Sequence, residues 1–440
     1  MKRLLFTFAV ACTLFPLEAQ ETLTLGQCIS MGIENNLQLK AKRNDVLKGW
    51  HDISENRAKL LPQINAVAQM NDNFNPPVSV TDGSAYGNKY NVTKTLQYNA
   101  SVGLQLQMPL YNQTLLTALD VTKLTERISR LSYDKARNDL IVQIARMYYL
   151  AQSTAEQIAI VKANIGRLEE LKNITVAFFD NGMAMEVDVK RVSINLENLR
   201  VQHDNAKAML AQQMNMLKYV IDYPADREIA VTPVNPDTIE TVELGGLCEQ
   251  LPELQLLYRQ GELAGKQQKM IRQGYLPSLM LTGNLTYSAF TDKFHNWFHS
   301  GASNHWYNSS GLGVTLRIPV FDGFEKRSKI RKAKLDVENA RLAYDDALKG
   351  LRTQYLNATN DLMNSRRNFT KQRDNYRLAE DVYAVTSDRY REGIASMTEV
   401  LQDEMSMSEA QNNYVTAHYD YRITNLTLLK LTGKLDLLLK

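Results

Sequence analysis

Few residues of this chain are spaced for covalent chemistry. HExxH, GxSxG, P-loop and GxGxxG motifs are all absent, so the metal, nucleophile and phosphate sites they build are not on offer. The nearest metal-like spacing is His295 and His299, four apart, with Asp292 as the one acidic neighbour. Three such residues fall short of a closed tetrahedral site. The Phe290, Phe294, Trp297, Phe298, Trp306 and Tyr307 around them read instead as an aromatic girdle at a membrane interface, or as a plug. Cys12, Cys28 and Cys248 form no CxxC, which excludes a zinc ribbon and a thioredoxin-type site. Cys28 and Cys248 stand as two free thiols, with a disulfide between them as the alternative. No cofactor is expected. What remains is charge placed beside turns. Gly182 and Gly393 are each followed six residues later by a carboxylate, Asp188 and Glu399, and Gln402 and Asp403 follow the second. Taken by themselves these residues read as the solvated charges of a hairpin. A basic run, Lys326, Arg327, Lys329, Arg331, Lys332 and Lys334, opens a helix where positive charge opposes the dipole. It reads as a solvated face, or as a contact with anionic lipid headgroups.

The composition limits what can position these residues. Among 440 residues, 51 Lys+Arg face 48 Asp+Glu, a balance that gives no argument for a nucleic-acid partner. The 21 glycines and 11 prolines fall below average usage of roughly 7% and 5%. No proline lies between Pro109 and Pro224 or after Pro319, leaving two long stretches without the strongest helix breaker. That argues against an all-β protein and against a doubly wound α/β enzyme. Lys2 and Arg3 precede an apolar run over 4–17, and Leu17-Glu18-Ala19 offers a cleavage site, so residues 1–19 read as a signal peptide. A lipoprotein signal using Cys12 is the rival. No later run of ~20 apolar residues exists, so any membrane crossing must be made by strands.

The chain is written twice. Leu61-Pro62 recurs as Leu276-Pro277. The run from Leu104 to Asn112 recurs position by position from Val314 to Asp322. Phe179-Asp180-Asn181-Gly182 recurs as Tyr390-Arg391-Glu392-Gly393, and Asn36-Leu37-Gln38-Leu39 as Glu253-Leu254-Gln255-Leu256, all at offsets of 210 to 217 residues. Ordered matches at one offset mark a tandem duplication. The first repeat covers 20–223 and the second 247–433, with a linker or equatorial segment at 224–246 and a tail at 434–440. Each repeat holds two runs in which apolar and polar residues alternate, predicting strands at about 63–73, 98–108, 278–288 and 310–318. Their length suits a tilted strand crossing a bilayer. The connections at 74–97 and 290–307 are expected as loops at the outer surface. Each repeat also predicts a helical hairpin, 113–219 and 324–431, whose long arm would extend roughly 100 Å. Heptads sustain both. In the first, Ile144, Ala151, Ile158 and Ile165 step by seven; in the second, Tyr355, Leu362, Phe369, Tyr376, Tyr383 and Tyr390 do so, as do Val400, Met407, Tyr414, Tyr421 and Leu428, the pattern of coiled-coil packing. A shorter helix ahead of each first strand is expected to stack end to end with the return helix along the long arm.

Four strands cannot close a barrel, and open strand edges are not tolerated in lipid. Several copies must share one barrel, with Gln105, Gln107, Thr282, Asn284, Thr315 and Arg317 toward a wet lumen. At this point the residues resemble the TolC family of outer-membrane channel proteins. The resemblance is carried by Leu23-Thr24-Leu25 before a helix with Asn35-Asn36-Leu37, by Leu60-Leu61-Pro62-Gln63-Ile64, by Pro319-Val320-Phe321-Asp322-Gly323, by Tyr390-Arg391-Glu392-Gly393 and by Glu409-Ala410-Gln411-Asn412-Asn413-Tyr414. It spans nearly the whole mature chain. It implies a mainly α fold with membrane β: a homotrimer sharing a twelve-stranded barrel on a long coiled-coil α-barrel. It also implies the outer membrane of a Gram-negative bacterium, with the helical part in the periplasm. Its expected partners are outer-membrane lipid, a periplasmic adaptor and an inner-membrane transporter, and its expected function is a passive export duct for small molecules or proteins. A secreted coiled-coil scaffold without a pore is the alternative.

The resemblance also assigns roles at the hairpin tips. The acid at Glu399 would ring the periplasmic entrance. The family's next acidic ring falls at Gln402, with Asp403 beside it, which leaves that ring open to question. A latch between Asp188 and Tyr390 would hold the closed tip. The family's basic latch residue falls at Ala395, so an ion-pair latch is missing. Gly182, Met183, Gly393 and Ala395 would form the adaptor-docking tips.

Overall fold

The computed structural model describes residues 21–82, 87, 89–234, 245–298 and 305–439. In chain order its elements are β1 (Glu21–Leu23), α1 (Leu25–Asn35), α2 (Leu37–Ala58), β2 (Gln63–Asp72), β3 (Val78–Asp82), β4 (Tyr90–Lys94), β5 (Tyr98–Tyr111), α3 (Gln113–Asp180), α4 (Glu186–Ile221), β6 (Ile229–Val231), α5 (Pro252–Gln273), β7 (Ser278–Thr291), β8 (His305–Arg317), α6 (Glu325–Arg391) and α7 (Met397–Leu431). Short 3₁₀ turns occupy Phe294–Phe298 and Leu435–Leu439. Residues 1–19, with the expected signal peptide and Cys12, lie outside the described residues, as does His299. Among the described residues no helix is long and apolar enough to cross a membrane.

The chain forms two compact units that cut across the repeats. One takes in residues 44–131 and 255–346, the other residues up to 43, 132–254 and 347 onward. The first unit holds a four-stranded antiparallel sheet in the order β2-β5-β7-β8, so each repeat supplies one outer and one inner strand. Helices follow directly. In α2, Trp50 Nε1 donates to Glu126 of α3 at 3.1 Å and Asn56 donates to Thr122; in α5, Tyr258 lies edge-on to Tyr344 of α6 at 6.1 Å. The connection at 74–97, expected as a loop, carries the β3–β4 hairpin. Val78, Val80, Val92 and Tyr90 alternate there with Ser79, Thr81, Asn91 and Thr93, in five-residue runs too short to stand out in a sequence scan. The 290–307 connection is shorter than expected. β7 continues to Thr291 and β8 starts at His305, because ladder hydrogen bonds carry the strand through Asn308, Ser309 and Ser310 where apolar alternation lapses.

In the second unit, α1 starts from a capping box: Thr24 Oγ1 accepts from Gln27 N–H at 3.3 Å, and Gln27 Oε1 accepts from Thr24 N–H at 2.8 Å. Reciprocal capping satisfies two of the helix's free donors. Cys28 and Ile29 then pack into a core with Ile141, Ile144, Tyr148, Leu217, Ile221, Leu426 and Leu429. Part of the linker is ordered into this core. β6 pairs in parallel with β1, and the Tyr148 hydroxyl donates to Leu23 O at 2.9 Å while accepting from Thr232 N–H. Cys28 and Cys248 are both free thiols.

Candidate gate and docking tip

Both hairpins turn by the same local device. Gly182 N–H donates to Phe179 O and Met183 N–H to Phe178 O; Gly393 N–H donates to Tyr390 O and Ile394 N–H to Arg389 O, all at 2.8–2.9 Å. These paired bonds are Schellman motifs, which need a left-handed residue. The glycines supply it, at φ +74° and +76°. The return helices then start on the two carboxylates picked out in the sequence. Glu399 accepts from Ser396 N–H at 2.8 Å while Ser396 Oγ accepts from Glu399 N–H. Asp188 accepts from Met185 N–H at 3.4 Å and from Arg191 at 3.3 Å. Each acid therefore sits in the first turn of its helix, where the dipole favours negative charge. Glu399 and Gln402 are exposed, Asp403 is half-buried and Asp188 is buried.

Around this turn the hairpins share one core. Val161, Leu168 and Leu171 of α3 and Val192, Leu196 and Leu199 of α4 meet Tyr383 and Tyr390 of α6 and Met397, Val400, Leu401 and Met407 of α7. Tyr390 is buried in it, its ring 5.6 Å from that of Phe178. Its hydroxyl donates to Thr175 Oγ1 at 3.4 Å, not to Asp188 as the latch expectation had it. The reason is local: the Asp188 carboxylate turns back to its own helix start and to Arg191, and Arg191 reaches Thr398 across the two tips at 3.5 Å. Burial raises the Tyr390 phenol above its ordinary value, Thr175 offsets part of that, and the nearby Asp188 charge adds to it. Of the expected docking residues, Gly182, Met183 and Gly393 are exposed, but Ala395 is 8% exposed and belongs to the core. Met185 and Ile394 offer the exposed apolar surface instead.

The six expected lumen residues share one face of the sheet. Gln105 lies opposite Asn65 and Asn284, and Gln107 opposite Gln63 and Thr282. Thr315 and Arg317 continue the same face along β8, opposite Met280 and Ser278. The other face carries Ile64, Val102, Leu104, Leu285, Tyr287, Leu312, Val314 and Leu316, all exposed. Past its upper end, Phe294 lies edge-on to Tyr98 at 5.8 Å, and Trp297 lies 6.3 Å from Trp306. In the basic run, Lys326 pairs with Asp322 and covers the Tyr275 ring, and Lys329 pairs with Glu325. Among the described residues no cluster could hold a metal ion.

The model of the outer membrane efflux protein family matches residues 28–221 and 249–434, one copy over each repeat. The chain belongs to the outer membrane efflux protein family. It is 23% identical to the outer membrane protein TolC of Vibrio cholerae, over 99% of this chain and 96% of that one. It is 22% identical to the probable efflux pump outer membrane protein TtgC of Pseudomonas putida, over 93% and 82%. The crystal structure of VceC from Vibrio cholerae has the same fold, with a TM-score of 0.75 at 15% identity, covering 93% of this chain and 96% of that one. The efflux protein is thus a TolC-like channel of the Gram-negative outer membrane with its helical part in the periplasm, a duct of a tripartite efflux or secretion system. Membership removes the alternative of a secreted scaffold.

One buried polar series is absent from the sequence expectations. Four residues on from Val400 begins a second heptad row: Glu404, Gln411, His418 and Asn425. All four are polar, and all are buried, at 5%, 2%, 4% and 5% exposure. Their spacing of seven is visible in the sequence, but polar residues at that spacing are as common on a solvated helix face as in a core, so burial alone sets this row apart.

Proposed function

We propose that three copies of this efflux protein close one twelve-stranded barrel and that the paired hairpins form its periplasmic gate and docking end. The observation that carries this is the four-stranded sheet with one polar and one exposed apolar face and with β2 and β8 left as open edges. Lipid does not tolerate such edges, and β2 of one copy beside β8 of the next removes them all. Twelve strands leave a lumen wide enough for water and cargo. Passage along it is passive, since no bond need be made or broken. Small molecules or proteins would enter from an adaptor and an inner-membrane transporter.

The gate reading places Glu399, with Asp403 and Gln402, around the entrance, and Asp188 and Tyr390 in the packing behind it. Docking is assigned to the turns themselves, where Met183, Met185 and Ile394 leave apolar side chains exposed. Two experiments test these assignments. Cysteine pairs with one member in β2 and the other in β8 should give intermolecular disulfides that trap a trimer; purely intramolecular products would refute the shared barrel. Photo-crosslinkers at Met183 and Ile394 should capture the adaptor in cells. Capture only from the 224–234 segment would refute docking at the tips.

A further inference from the structure

Helix α7 is built differently on its two sides. Toward α6, its own hairpin partner, it is aromatic: the Phe369 ring lies 5.8 Å from Tyr414 and 5.9 Å from Tyr421, and Tyr376 lies 5.7 Å from Tyr414. Toward α3, of the other hairpin, it presents the buried polar row. Gln411 accepts from Asn164 Nδ2 at 2.7 Å. His418, stacked on Phe369 at 4.8 Å, has Nδ1 3.7 Å from Glu156. Glu404 comes under the charge of Arg167. A polar core position fixes register at a cost in stability. Gln411 and His418 thus have partners in α3, whereas Asn425 Oδ1 and Glu404 Oε1 are buried without a hydrogen-bond donor. Of these two only Glu404 can carry a charge, and beside it Arg167 Nε is buried without an acceptor, although the same guanidinium donates to Asn164. An incompletely partnered carboxylate in such a place is far costlier charged than neutral.

We propose that Glu404 is a proton-operated fastener between the two hairpins: neutral, it lets α7 lie against α3 and keeps the gate end closed; charged, it loosens that seam and favours opening. This rests on the duct reading above. Burial raises Glu404 above its ordinary 4.5, and Arg167 offsets part of that rise. The seam should therefore be at full strength below about pH 4.5 and weaken as pH climbs through the raised value. The charged and titratable groups facing it are Arg167 from α3 and Tyr383 from α6, with Arg391 near Tyr383. α4 brings Val192, Leu196 and Leu199 to this core. Asp403 adjoins Glu404 on α7, and the Glu156–His418 pair lies further along the seam.

The test uses the full-length protein in lipid bilayers. The first readout is hydrogen-exchange protection of residues 161–171 and 397–411, corrected for the intrinsic effect of pH on exchange. The second is single-channel conductance over the same pH range. Wild-type protection should fall as pH rises through the Glu404 titration, tenfold for each pKa unit by which the carboxyl is raised, with open events becoming more frequent. Glu404→Gln, which keeps the neutral shape, should hold low-pH protection and infrequent opening throughout. Arg167→Met, which removes the compensating cation, should move the midpoint to higher pH. Wild-type pH dependence surviving in Glu404→Gln would overturn the proposal, as would an unmoved midpoint in Arg167→Met. Protection that titrates while opening does not would refute the link to the gate. Trimers that insert but never conduct would sink the duct reading instead, and the protection data would still decide whether Glu404 is a fastener.

Discussion

Leu104 and Gln105 are neighbours in the middle of β5, and the barrel reading assigns them to opposite solvents. Leu104 lies opposite Ala66 and Leu285, on the face with Val102, Val314 and Leu316. Gln105 lies opposite Asn65 and Asn284. A lysine facing lipid near mid-bilayer costs roughly 2–4 kcal/mol, and one near the interface about 0–1. Position 104 is central in a strand running from Tyr98 to Tyr111, so Leu104→Lys should pay the mid-bilayer cost. Three copies in one barrel would sum to roughly 6–12 kcal/mol if the sites act independently. That is comparable to the whole stability of an ordinary domain, about 5–15 kcal/mol. Gln105→Lys adds a charge where water is available and should cost under about 0.5 kcal/mol, changing conductance rather than assembly. Refolding into vesicles under urea titration, with heat-modifiable trimer migration as the readout, separates the two. Cysteines at 105 and 315 should react with a water-soluble thiol reagent in the assembled trimer, and cysteines at 104 and 316 should not. A tolerated Leu104→Lys beside a destructive Gln105→Lys would invert the assigned faces and refute the barrel register.

Three further outcomes follow from the described contacts. Glu399→Gln/Asp403→Asn should move the reversal potential across a salt gradient most of the way to zero while trimers persist, since glutamine retains the acceptor for Ser396 N–H; unchanged selectivity would put the constriction elsewhere. Tyr390→Phe removes the bond to Thr175 and should cost about 0.5–1.5 kcal/mol; Thr175→Val removes that bond together with the one from Thr175 Oγ1 to Leu171 O, so the double variant should cost little more than Thr175→Val alone in thermal unfolding. An additive double variant, or coupling to Asp188→Asn instead, would restore the latch expected from the resemblance. Burial pushes the Cys28 thiol up from 9.0 to about 12. The folded chain thus holds that proton more tightly than the unfolded one, so this contribution to stability is intact below pH 9 and is lost as pH climbs toward 12. Alkylation at neutral pH should label half-exposed Cys248 and spare Cys28 until the chain unfolds.

The periodic elements were legible because each rests on a single repeat length: two for the strands, seven for the hairpins. What escaped depended on partners distant in sequence. The start of β8 at His305 is set by its ladder with Phe290, which no local alternation reports. Tyr390 bonds Thr175 because two hairpins from different repeats meet there, and the polar row on α7 makes sense only against Asn164, Arg167 and Glu156 of α3. The glycine-to-acid spacing shows the limit most clearly. A tight turn between antiparallel helices needs a left-handed residue to end the first and an acceptor to start the second. Gly182 with Asp188 and Gly393 with Glu399 meet that need in both halves, whatever happens at the pore. The six-residue spacing is therefore accounted for by capping alone, and the gate role assigned to these acids rests on the resemblance. The exposure of Glu399, against the burial of Asp188, is what makes the second-repeat acid the better candidate for a carboxylate that also meets cargo, and selectivity measured in the Glu399→Gln/Asp403→Asn channel is what distinguishes the two roles.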